Sequence, residues 1–232
     1  MTTPTVNRPV LDGAALAFAA GFVDSVGFIA LFGLFTAHVT GNFVTIGAAL
    51  VAPDAALMAK LLALPVFILV VAATRLWTVR RARAGRGVRT PLLLAQLLLL
   101  AGFMAAGMAA SPITNADAPL AILAGLVGVA AMAVQNAAAR IAFASLAPTT
   151  VMTGNVTQSV IDAVDLLSNP SAETSVEAGA RFRKMWPPVL AFAAGAIAGA
   201  FGYVGAGFLC LAAPILILGG LVVLPGPAPR PA

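Results

Sequence analysis

Apolar residues run in long blocks along this chain, and each block is closed by a proline, a cluster of charge or a short polar motif. A helix needs roughly 20 apolar residues to cross the hydrocarbon of a bilayer. On that measure the blocks Leu11–Phe35, Ala55–Trp77, Pro91–Ala110, Pro119–Arg140, Trp186–Tyr203 and Gly207–Leu224 predict about six spans. The first is apolar or small throughout except for Asp12 at its start and Asp24, followed by Ser25, at its middle. Pro65 is a candidate kink in the second, Trp77 stands where an interfacial anchor would, and Gln96 is the one polar residue of the third.

Two stretches interrupt the pattern in the same way. His38-Val39-Thr40-Gly41-Asn42-Phe43-Val44-Thr45-Ile46-Gly47 follows the first span, and Val151-Met152-Thr153-Gly154-Asn155-Val156-Thr157-Gln158-Ser159-Val160 follows the fourth. Both carry Thr-Gly-Asn after a long apolar segment, and Thr and Asn are good helix N-caps. The continuation Phe43–Ala52, closed by Pro53-Asp54, is too short to cross alone. Each element is therefore predicted to be a broken or re-entrant half-helix. The second opens an amphipathic stretch with Gln158, Ser159, Asp162 and Asp165, and a polar loop, Ser168–Lys184, is expected after it.

Composition agrees with a membrane protein. Of 232 residues, 61% are hydrophobic and 9% charged, against about 25% charged in soluble domains; mean hydropathy is +1.02. The net charge of +5 does not point to nucleic acid, because the basic residues cluster at span ends, six arginines lying between Arg75 and Arg89. With both termini cytoplasmic and neither Thr-Gly-Asn element crossing, all 13 basic residues except Lys60 fall on one side, as the positive-inside rule requires. If both elements crossed, the arginine-rich loop and the Arg181–Lys184 cluster would face opposite sides. One cysteine and one histidine exclude a disulfide framework and argue against haem, iron–sulfur or a zinc cluster, so no cofactor is expected.

The fold class predicted is an all-α integral membrane protein with about six transmembrane helices in two inverted three-helix repeats, each with a Thr-Gly-Asn half-helix. Residues 1–10 form a cytoplasmic tail, 11–110 the first repeat, 111–118 an external loop, 119–224 the second repeat and 225–232 a Pro-rich cytoplasmic tail. Three spans per half is an odd number, so the halves enter the membrane in opposite senses. Secondary transporters and some channels with this architecture hold solute near the midplane, where the repeats meet.

The assembled motifs, Gly21-Phe22-Val23-Asp24-Ser25-Val26-Gly27-Phe28 with His38-Val39-Thr40-Gly41-Asn42, then Val134-Gln135-Asn136-Ala137 with Thr149-Thr150-Val151-Met152-Thr153-Gly154-Asn155, resemble the YoaK-like family of bacterial membrane proteins. The resemblance covers about Leu11 to Leu224. It implies a multi-pass protein of the bacterial plasma membrane with about six transmembrane helices, and names no substrate or site.

The candidate site therefore comes from the residues. An acid at a helix centre costs about 2.5–3.5 kcal/mol to insert, so Asp24 is expected to face the interior as a cation- or proton-binding group, or to hydrogen-bond a neighbouring helix. Thr40, Gly41 and Asn42, with Thr153, Gly154 and Asn155, offer free helix N–H groups and adaptable amides to a polar solute, or else only cap short helices. Gln135 and Asn136 lie deep enough to need partners and are expected to line the solute site with Asn42 and Asn155. Asp162 shares a helix face with Asn155 and with Gln158 or Ser159. Arg140 is a candidate partner of Asp24 or Asp162, or a snorkelling span end, and His38 either titrates beside the first motif or is an ordinary interfacial residue. Gly195 and Gly199 read as close helix packing, which leaves a homo-oligomer open. The function expected is a small-polar-solute transporter, with a channel or a non-transport assembly or sensory protein as rivals; an enzyme is not expected, because no nucleophile or metal-ligand spacing accompanies the one histidine.

Overall fold

The computed structural model describes residues 8–51, 57–168 and 171–224, the side chains of 172–174 excepted. Residues 1–7 of the expected N-terminal tail, the Pro53-Asp54 break and the Pro-rich tail 225–232 lie outside the described residues. Helices follow in the order α1 (Arg8–Ala30), α2 (Gly41–Val51), α3 (Leu57–Arg83), α4 (Arg89–Ala110), α5 (Pro119–Ile141), α6 (Met152–Leu167), α7 (Ala172–Ala206) and α8 (Ala212–Val223), with a single 3₁₀ turn, Gly207–Leu211, joining the last two. There is no strand among the described residues.

Two helices form the centre. In α1 and α5, 67% and 61% of the most apolar stretch is buried, against 22–33% in the other membrane-length helices. The outer helices turn leucine, isoleucine and phenylalanine outward, as along α7 at Leu190, Ile197, Phe201 and Val204. Lipid tails are as apolar as these side chains, so such exposure carries no penalty in a bilayer.

Contacts fix the directions of the helices. Gly195 lies against the backbone of Phe18 and Gly199 against that of Phe22, with Pro188 beside Gly13, so α1 and α7 run parallel. Gln96 meets Gln135 and Gly128 meets Phe103, so α4 and α5 run antiparallel. Gln135 reaches the Leu16 carbonyl while Gly125 faces Leu31 and Leu34, which sets α5 antiparallel to α1. Gly207 (φ +55°) reverses the chain after α7. The last segment then returns along α4, with Phe208 against Gly107 and the Leu224 carbonyl 3.5 Å from Arg89 Nη1. The starts of α1 and α4 and the ends of α3, α5 and α8 thus share one face, rich in arginine. Arg89 joins Asp12 there at 3.1 Å, and Arg81 lies over the Trp77 ring.

Gly195 and Gly199 have a specific use. A Cβ at Gly195 would stand 2.1 Å from Phe18 O, one at Gly199 2.4 Å from Phe22 O, and one at Gly21 2.2 Å from Phe192 O. The small-residue stripe packs α7 onto α1 within one chain.

One expected loop is a helix. Residues Ala172–Lys184 are the first third of the 35-residue α7, not part of a polar loop. Alanine, glutamate, arginine and lysine are good helix formers. This segment is held by Arg181, whose Nη2 and Nε each lie 2.9 Å from Asp162 Oδ1 on α6, and whose Nη1 lies 3.6 Å from Glu177, one turn back. Asp162 is fully buried. Arg181→Met should therefore destabilise the protein by about 1–3 kcal/mol, below the limit for a buried pair because the guanidinium is partly solvated. The loss should appear in the thermal midpoint, and Asp162→Asn in the same background should recover part of it.

Candidate functional site

Both central helices end in the same kind of device. After α1 the ten residues 31–40, and after α5 the ten residues 142–151, double back along the helix just left, and a shorter helix starts from their far end. Backbone that leaves a helix inside a bundle brings N–H and C=O groups that need partners. In each loop, buried polar side chains supply them.

In the first loop the partner is Asp24, six residues before the end of α1. Its Oδ1 accepts the backbone N–H of Thr36 at 2.8 Å, of Ala37 at 2.7 Å and of His38 at 3.5 Å, together with the Thr36 hydroxyl at 3.3 Å. Its Oδ2 lies 2.7 Å from His38 Nδ1. Successive N–H groups turned to one point form an anion-binding nest, which accounts for a carboxylate that is only 6% exposed. The His38 ring packs edge-on against Phe192 of α7 and keeps a 35% exposed side chain. It is a partly exposed imidazole on a buried carboxylate.

Asn42 closes the other end of this loop. Its Oδ1 accepts the Phe35 N–H and its Nδ2 donates to the Phe35 carbonyl, both at 2.9 Å, so the amide pairs with one residue as a β-strand neighbour would. Gly41 packs against the Phe35 ring, which a Cβ would meet at 2.8 Å, and Thr40 is exposed.

The second loop uses neutral groups. Gln135, six residues before the end of α5, donates to the Leu16 carbonyl at 2.9 Å and to the Thr149 hydroxyl at 3.1 Å, and accepts from Gln96 at 2.6 Å. Asn136 accepts the Thr150 hydroxyl at 2.6 Å and donates to Met132 O. Asn155 donates to the Pro148 carbonyl at 2.7 Å, again seven residues back. Thr153 and Gly154 are exposed, and a Cβ at Gly154 would meet nothing within 4 Å.

The predicted residues thus fall into separate groups. Asp24, His38 and Asn42 hold one loop, and Gln135, Asn136 and Asn155 hold the other. Asp162 lies farther along α6 among Gln158, Ser159 and Arg181, with its Oδ2 and the Ser159 hydroxyl buried and without a partner among the described residues. Arg140 is exposed and pairs with neither Asp24 nor Asp162, whose partners are His38 and Arg181. Sequence reasoning missed Thr36, Thr149, Arg89 and Arg181. Only the Thr149-Thr150 pair, just before the second motif, offered a signal.

The geometry makes the two amides unequal. Asn42→Ala, which removes two hydrogen bonds to oxygen and nitrogen, should lower stability by about 2 kcal/mol, and Asn155→Ala, which removes one such bond and a long, weak one to Met152 Sδ, by about 1 kcal/mol. Thermal midpoints of the two variants should rank in that order.

Among the described residues there are helices and turns alone, and five helices long and apolar enough to cross a bilayer, which define a polytopic α-helical membrane protein. The chain belongs to the DUF1275 family, proteins of unknown function, which it matches over residues 13–224. Membership is consistent with the YoaK-like resemblance. No curated protein and no solved structure matches the chain significantly.

Proposed function

We propose that this protein is a secondary transporter of a small polar solute, built from two oppositely inserted halves and reached from either face at the two doubled-back loops. The observation that carries the reading is the paired device on two antiparallel central helices: a buried polar residue six positions from the helix end, a ten-residue loop and an asparagine bonded seven residues back. Broken helices in opposed halves suit alternating access. Six crossings are supported by the return of Gly207–Val223 along α4, and a cytoplasmic arginine face by the positive-inside rule. The Asp24–His38 pair would couple transport to a proton, since it is the one charged contact in either loop and His38 is half open.

The rival is a non-transport protein whose loops are locked, and one observation favours it: Asn42, Asn136 and Asn155 already bond to their own chain. Proteoliposome uptake, screened over amino acids, sugars and small organic acids with and without a proton uncoupler, separates the two. Transport predicts uptake of at least one class that the uncoupler reduces and that Asp24→Asn loses in folded protein. A folded wild type that moves none of them supports the lock.

A further inference from the structure

Lys60 is the one basic residue that the orientation argument leaves on the far side. It lies in the first turn of α3 and is 2% exposed. A methyl group added at Gly33 would stand 3.6 Å from its Nζ and 3.7 Å from the Phe28 ring, so the ammonium rests on the turn that ends α1. That turn is left-handed at both Phe32 (φ 53°) and Gly33 (φ 83°).

Every other buried charged side chain among the described residues is paired. Asp12 has Arg89, Asp24 has His38 and Asp162 has Arg181. Among the described residues Lys60 makes no ion pair and no hydrogen bond; the carboxylate of the same face, Asp117, accepts from the Met58 backbone N–H instead. The carbonyl end of α1 favours a cation nearby, but a helix dipole supplies only part of what an ammonium on so largely covered a side chain loses of its hydration.

We propose that Lys60 is an anion site, which receives a carboxylate or phosphate group against the Phe32–Gly33 turn. Three residues after Gly33 comes Thr36, the first residue bonded to Asp24, so an anion there acts on the turn that opens the first loop. The group belongs to a transported solute or to a lipid headgroup. The first source rests on the transport reading, whereas the anion site itself does not.

The test uses purified full-length wild type, Lys60→Met, Lys60→Arg and, as a control, Lys184→Met. Thermal midpoints are taken in neutral detergent with sodium acetate, sodium phosphate or sodium chloride at equal ionic strength, and in nanodiscs of phosphatidylcholine or phosphatidylglycerol. A saturable rise of about 5 °C with acetate or phosphate, kept by Lys60→Arg and Lys184→Met and lost by Lys60→Met, supports a solute anion. The same Lys60-dependent rise only in phosphatidylglycerol supports a lipid headgroup. Without added anion, Lys60→Met should melt no earlier than wild type. Equal responses of wild type and Lys60→Met in every arm, or a Lys60→Met that melts much earlier in chloride, would overturn the proposal. Anion binding without uptake would overturn transport and leave this site standing.

Discussion

Replacing Asp24 by leucine is expected to cost about 3–5 kcal/mol, because the Thr36 and Ala37 N–H groups and the His38 ring lose their acceptor in a buried place. Asparagine keeps one oxygen for the backbone N–H groups and loses the charge facing His38 Nδ1, so Asp24→Asn should cost less, about 1–3 kcal/mol. Thermal unfolding in detergent orders the variants as wild type, Asn, then Leu. His38→Ala gives a second reading of the pair. It leaves the backbone nest on Asp24 intact, so its midpoint should fall less than that of Asp24→Leu. If Asp24→Leu melted with the wild type, the carboxylate would not be what holds the loop.

A still larger effect is expected from the α1–α7 contact. At Gly195 even a methyl group would stand 2.1 Å from the Phe18 carbonyl oxygen, and at Gly199 2.4 Å from that of Phe22. These neighbours are backbone and cannot rotate away. Each alanine should cost upwards of about 2 kcal/mol, and Gly195→Leu with Gly199→Leu should leave no monodisperse protein on size exclusion. Gly205→Leu, which has open space around its Cβ position, should express and elute as wild type. A double variant that folded normally would mean that α7 does not pack on α1 through these glycines.

The membrane helices were legible because long apolar blocks have few readings. The exceptions lie where tertiary partners decide. Residues Ala172–Lys184 carry charge, and nothing local shows that Arg181 pairs with an aspartate 19 positions earlier. The sequence extends the first span to Phe35 because residues 31–35 are as apolar as those before them, but α1 stops at Ala30, and only the fold reveals that they double back. Asp24 stood out because an acid in hydrocarbon is costly. Besides the His38 ring and the Thr36 hydroxyl, its partners are backbone N–H groups, which carry no sequence signature. The sequence offers Asn42 and Asn155 as amides for a solute or as caps of the helices they begin. Their amides instead bond seven residues backward, to Phe35 and Pro148. The glycines of the two motifs look identical in sequence yet differ in place, Gly41 against a ring and Gly154 in the open.

The claim on which the account rests is that the two halves insert in opposite senses, and it can be measured before any solute is known. In a Cys210→Ser background, single cysteines replace Val51 at the end of α2 and Leu167 at the end of α6, both 86% exposed. They are labelled with a membrane-impermeant thiol reagent in right-side-out and inverted vesicles. Opposed halves predict Val51→Cys labelled only from outside and Leu167→Cys only from the cytoplasmic side. Labelling of both from the same side would contradict it.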